Sequence, residues 1–376
     1  MIINERTAPA ASGVPVNTGT VFVTGITGGT PPAKPVLCAS TADYEAAGYG
    51  VRTGANIAMW DWLDVAFREG VAQAYVMGYT AAGGYATALP LFDSRLGPGQ
   101  VAVVGEAAMT PAIYAAIQAH VDGNNRIGLL DGIVGDVAMA AWTQHGTDAQ
   151  ALTSMENVGV FGSWVTCAGP PGVVTSGSRN IPMSAVVAGM CSRVDQTGNP
   201  GRAAGGRDFP CQYVSGFLYD PNDSERTSLF QKGVNMGANR WGTLENYGFV
   251  TPIFQGQPIA ATPFWQLNCA RTRMYMKAQA QAIGENYYMR TLDGQGKLAA
   301  ELGADLAVMC SDLYEADALY GDTKSDAYSV NVSSSVNTST STANATLNAT
   351  VEAKLSQYTN KVVINLVSVP VAGVVS

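Results

Sequence analysis

From Gly99 onward the chain alternates short β-branched runs with helical ones: strand Val101–Val104 then Pro111–His120, strand Arg126–Leu130 then the region of Val137–Trp142, then strand Val158–Val165. Parallel strands need a long crossover, and a helix usually supplies it. The alternation therefore predicts a largely parallel sheet covered by helices. Thr110 is expected to cap the first of these helices, with Pro111 at its first position. Upstream, Thr20–Gly25 reads as a strand and PVLCAS as a second short one. Ala55–Glu69 carries Ile57, Trp60, Leu63 and Phe67 at spacings of three and four, which predicts an amphipathic helix, and Val71–Tyr79 follows as a strand. Downstream, residues 166–225 read as loop-rich. Trp265–Arg290 and Gly296–Tyr320 read as long helices, the second with Leu298, Leu302, Leu306, Met309 and Leu313 in one stripe. Residues 329–350 form a Ser/Thr/Asn tract, and Val362–Val375 reads as a strand.

Composition narrows the class. Charged residues are 13% of 376, against about 25% in a typical soluble protein, while 47% are hydrophobic and 42 are glycine. Disorder needs the opposite balance. A net charge of −8 without basic clusters argues against direct nucleic-acid binding. No run reaches the ~18 apolar residues of a bilayer span, and the N-terminus lacks the apolar core of a secretory signal. The six cysteines contain no CxxC pair and read as reduced, mostly buried thiols; no metal or cofactor is expected.

Catalytic patterns are weak. Gly25–Gly29 (GITGG) is neither GxGxxG nor a P-loop and reads as a turn. His145 lies near Asp148, yet no GxSxG elbow accompanies it. His120 stands at a helix end, where a cation would suit the dipole. The carboxylates of 301–326 fall at helical-face spacings and read as a solvated or partner-facing acidic face. Sequons at Asn331, Asn337, Asn344 and Asn348 read as by-products of composition. No enzyme is expected. Interaction chemistry remains: Val362, Val363, Ile364, Leu366 and Val367 are too apolar for a free tail. They complete either this chain's sheet or a neighbour's.

The order of motifs resembles the contractile-tail sheath family. Thr20–Gly50 is similar to its opening, with Ser40, Asp43, Tyr44 and Gly50 in place, and Phe67–Tyr79 to its helix end and Tyr-Val strand. Arg126–Gly132 and Asn157–Pro170 fall where the family has its next strands, although Val160–Trp164 departs from the usual Tyr-Tyr-Pro-Trp. Ile181–Gly206 matches through Pro182, Ala185, Ala188, Gly189, Asp195 and Gly198, small residues that allow close backbone packing. Gly233, Val234, Asn235, Trp241–Gly242 and Asn337–Thr338 follow in order.

The resemblance implies an α/β fold: a mostly parallel core often compared with subtilisin, without its catalytic residues, and a C-terminal α+β domain. Segments are expected at 1–19 (extended arm), 20–98 (α+β), 99–260 (α/β core), 261–360 (helical/β domain) and 361–376 (strand arm). It also implies stacked hexameric rings around a tail tube, with terminal arms entering neighbouring sheets. Val14, Val16, Val21, Val23, Val362, Val363, Ile364, Leu366 and Val367 are the candidate arm residues. Implied partners are further copies, the tube protein, and baseplate and terminator proteins; the implied place is the virion tail, with assembly in host cytoplasm. Other virion proteins, such as a baseplate component, and a cytosolic α/β enzyme are the alternatives. Residues 266–297 carry five basic and two acidic side chains, and 298–328 one basic and seven acidic. Opposed faces of this kind suggest a register or tube contact at Arg271, Arg273 and Lys277.

Overall fold

The computed structural model describes residues 17–28, 30–107, 109–170, 177–256, 258–360 and 362. Its centre is an eight-stranded sheet. In chain order the first strands are β1 (Val21–Ile26), β2 (Val36–Cys38), β3 (Ala74–Tyr79), β4 (Gln100–Val104), β5 (Ile127–Leu130) and β6 (Val158–Gly162). A small three-stranded sheet follows from β7 (Val165–Ala168), β8 (Ser178–Ile181) and β9 (Gly216–Phe217). Strands β10 (Val234–Arg240) and β11 (Thr243–Tyr247) return to the central sheet, whose order is β11-β10-β6-β5-β4-β1-β3-β2. The six inner strands run parallel and the two edges antiparallel. Residues 20–98 and 99–260 thus share one sheet, since β1 pairs with β3 on one side and β4 on the other.

Helices cover both faces, as the alternation requires. The long ones are α1 (Ile57–Arg68), α2 (Pro111–Asn124), α3 (Met139–Gln150), α4 (Met183–Asp195), α5 (Asp223–Phe230), α6 (Leu267–Glu285) and α7 (Lys297–Glu315). Val21 and Val23 point to the face packed by α1, α4 and the start of α6; Phe22 joins the other face, with α2, α3 and α5. Thr110 occupies the N-cap position of α2 with Pro111 first in the helix, but its hydroxyl makes no capping bond.

Residues 166–225 are loop-rich as expected, but they also hold β7, β8, the thirteen-residue α4 and β9. Helix α4 is buried on nearly every side, so its sequence shows no polar face to set a 3.6-residue period. Helix α1 is also buried around most of its circumference rather than amphipathic. Arg179 on β8 bonds Asp61 (2.6 Å) and Asp64, so two acids on the supposed solvent face are interior. Near the C-terminus, the α7 stripe Leu298, Leu302, Leu306, Met309 and Leu313 is buried as expected. With Ile283 of α6 it packs against the pair of β12 (Tyr328–Asn331) and β13 (Thr350–Ala353), which stand at the two ends of the Ser/Thr/Asn tract. The expected helix Trp265–Arg290 is shorter, since α6 ends at Glu285.

Candidate assembly surfaces

The arm candidates divide sharply. Val21 and Val23 are not arm residues: both are fully buried in β1, whose two edges are already hydrogen-bonded to β3 and β4. A strand paired on both sides has no groups left to offer a neighbour. Val14, Val16, Val363, Ile364, Leu366 and Val367 lie outside the described residues. Val362 is 73% exposed.

The chain leading to Val362 is firmly clamped. The buried Gln266 amide donates to the Tyr358 carbonyl (2.9 Å) and accepts from the Tyr358 N–H (2.9 Å), imitating a strand pair with one side chain. Asn268 donates to the Ser356 carbonyl (3.0 Å), and the Phe249 N–H donates to the Tyr358 hydroxyl (3.0 Å). Sequence reasoning missed Gln266, Asn268 and Tyr358. Two amides flanking an apolar residue at a helix start were the available signal.

The basic face on α6 largely dissolves. Arg271 is fully buried, bonded to Asp195 (2.7 Å) and the Cys191 carbonyl (3.1 Å), so it cannot touch a partner. Asp195 also accepts from the Thr18 hydroxyl (2.7 Å), tying the start of the described chain to this pair. Arg273 bonds Glu156 (2.7 Å) and Asn157 (2.7 Å) and lies over the Phe264 ring. Lys277 borders an apolar groove of about 290 Å³ with Met276, Met309 and Leu355. On the acidic side, Glu301 pairs with Arg290, Glu315 with Lys324 and Asp326 with Lys354.

The catalytic-looking groups are locked into the core. His145 bonds Asp136 (2.8 Å) and the Tyr114 hydroxyl (3.0 Å), not Asp148, so both ring nitrogens are occupied. Burial pushes the Asp131 carboxyl up to about 7, partly offset by the bonds it accepts from Ser184. The Ser184 hydroxyl meanwhile accepts from the Trp62 indole (2.8 Å) inside the core. His120 is no cation: burial, then the neighbouring Arg126 guanidinium, lowers it to about 4. The six cysteines are free thiols, all buried except the half-buried Cys211.

A concavity of about 800 Å³ lies between the Gly201–Phe209 loop, β11 and the clamped Ser356–Thr359 segment. Beside it the β10–β11 hairpin turns through Trp241 and Gly242, both at positive φ (51° and 84°). That is the two-residue turn that matches strand twist, normally Asn-Gly. The Trp241 ring lies beneath the guanidiniums of Arg207 (4.5 Å) and Arg240 (5.5 Å) and is 81% exposed. Glu245, buried in the groove wall, has its carboxyl raised by burial and lowered by Arg240, Arg207 and Arg226. Its Oε2, like the Oδ1 of buried Asn246, has no partner among the described residues.

No protein-family model matches the sequence, and no curated protein does. Solved structures do. A chain of the six-fold symmetrised anti-feeding prophage baseplate superposes at a TM-score of 0.74 with 17% identity, over 98% of both chains. A chain of the contracted sheath complex of the extracellular contractile injection system PVC gives 0.69 and 14%, over 94% of this chain and 92% of that one. The contracted helical sheath of the anti-feeding prophage gives 0.67 and 17%, over 98% of both. The fold is therefore that of contractile-sheath chains, end to end, at a sequence identity that identifies architecture alone.

Proposed function

We propose that this chain is a structural subunit of a contractile sheath. The observation that carries the reading is the match to sheath chains over 94% and 98% of this chain. In this reading copies stack as hexameric rings around a tail tube and contract to drive the tube through a host envelope. The six-fold symmetry of the similar baseplate structure supports the ring. Head-to-tail contacts that do not close generate such helical arrays. Residues 1–19 and 361–376 act as strand arms entering neighbouring sheets, with Val14, Val16, Val362, Val363, Ile364, Leu366 and Val367 as pairing residues. The Gln266–Asn268 clamp on Ser356 and Tyr358 supports this, because an arm under load needs a fixed root. The parallel core is then a non-catalytic relative of the subtilisin architecture. The sheath acts in a tail outside the cell after assembly in the host cytoplasm, with tube, baseplate and terminator proteins as partners.

A baseplate component is the second reading, favoured by the 0.74 match to a chain of a baseplate structure. Overexpression followed by negative-stain electron microscopy separates the two. Long hollow cylinders support the sheath, and isolated rings or plates support the baseplate.

A further inference from the structure

The sequence places the basic counterpart of the acidic 298–328 segment on α6, and in-chain pairing removes Arg271, Arg273 and Arg290 from that role. Exposed positive charge stands instead at the Trp241 hairpin, beside the buried Glu245. Arg207 and Arg240 form no ion pair among the described residues, and both flank the exposed indole. Trp, Arg and Tyr are the residues that dominate binding hot spots. Here Tyr247 completes the set, with Arg240 over its ring at 4.8 Å. A tryptophan held at positive φ costs on the order of 1–3 kcal/mol, a strain that functional sites tolerate.

We propose that this hairpin and groove dock a second copy of the chain through the acidic outer side of α7 and the turn after it. That surface presents Asp312 and Asp322, which form no ion pair among the described residues, together with the exposed Val308 and Tyr320. The carboxylates meet Arg207 and Arg240. No ion pair joins the two surfaces within one chain. Copies of net charge −8 repel on average, so local complementarity must set which faces meet. The two patches differ within one subunit, although Ala316 and Asp317 after α7 border the same groove, so the contact pairs unlike surfaces of two copies. The inference rests on the sheath reading for its biological role, not for its test.

The test is sedimentation at low salt of the full chain and two double variants, Arg207→Glu/Arg240→Glu and Asp312→Arg/Asp322→Arg. Each variant alone should self-associate roughly tenfold or more weakly than the unmodified chain, because like charges then face each other. Their equimolar mixture should associate again, since the reversed patch of one meets the reversed strip of the other. Variants that associate normally, a mixture no better than its components, or an unmodified chain that stays monomeric would each overturn the contact. Should a reversal variant fail to fold, as judged by circular dichroism, Arg207→Ala/Trp241→Ala at two exposed positions replaces it, and unchanged association then overturns the proposal. Association without cylinders would sink the sheath reading and keep this contact; cylinders from both variants alone would do the reverse.

Discussion

Arg271 and Arg273 stand two residues apart on α6 and obey different physics. Removing Arg271 strands Asp195 beside a buried vacancy, so Arg271→Ala should cost about 3–5 kcal/mol. The half-exposed Arg273 pair should be worth about 0–1 kcal/mol. Urea unfolding of the two variants checks the contrast, and equal losses would contradict it. A sequence shows both arginines as surface charge, because burial depends on what α4 brings against α6. The buried ionisable groups also set opposing pH trends. Asp131 is raised in the folded state, so its contribution is full below about pH 4 and is lost as pH rises through about 7. His120 is lowered, so its contribution is full above about 6.5 and is lost as pH falls through about 4. Asp131→Asn should therefore gain stability relative to the unmodified chain as pH rises from 5 to 8; thermal melts across that range with no relative change would refute the assignment.

Helix α4 shows what small residues do at the scale of an element. A Cβ at Gly189 would lie 2.3 Å from Glu69 Cβ and 2.6 Å from the Glu69 backbone carbon, at the end of α1. Ala185 and Ala188 are fully buried beside it. Gly189→Ala should thus separate α1 from α4 and cost about 1–3 kcal/mol through overpacking, despite improved helix propensity. A raised melting temperature would show that the contact yields. The βα alternation of 99–165 was readable because each strand and helix keeps its own period and turn residues. The α7 stripe was readable because one face stays wet. Helix α4 was not, since a helix buried all round has no such pattern, and the turn-forming composition of the Ser/Thr/Asn tract left β12 and β13 visible only through the family resemblance, which implies late strands there. Trp241–Gly242 was visible as a motif, but its role as a strained, exposed turn depends on the pairing of Arg240 with Thr243.

For the whole molecule, the low charge content follows from how much of it is interior. Two faces of one sheet and a separate C-terminal cluster are all covered with apolar side chains. Many of the few charges lie in ion pairs, some wholly enclosed, such as those of Arg179 and Arg271. The proposed contacts use what is left over at the Trp241 hairpin and the outer side of α7, and the sheath reading adds the two chain ends. Strand donation is the part of the sheath reading that depends most on those ends, and Val362 leaves a body whose last turn is held by Gln266 and Asn268. The decisive measurement is negative-stain microscopy of the full chain beside a chain ending at Lys361. The account predicts long hollow cylinders from the first and dispersed subunits with intact circular dichroism from the second. A full chain that forms no cylinders, or a truncated one that forms them equally well, would contradict it.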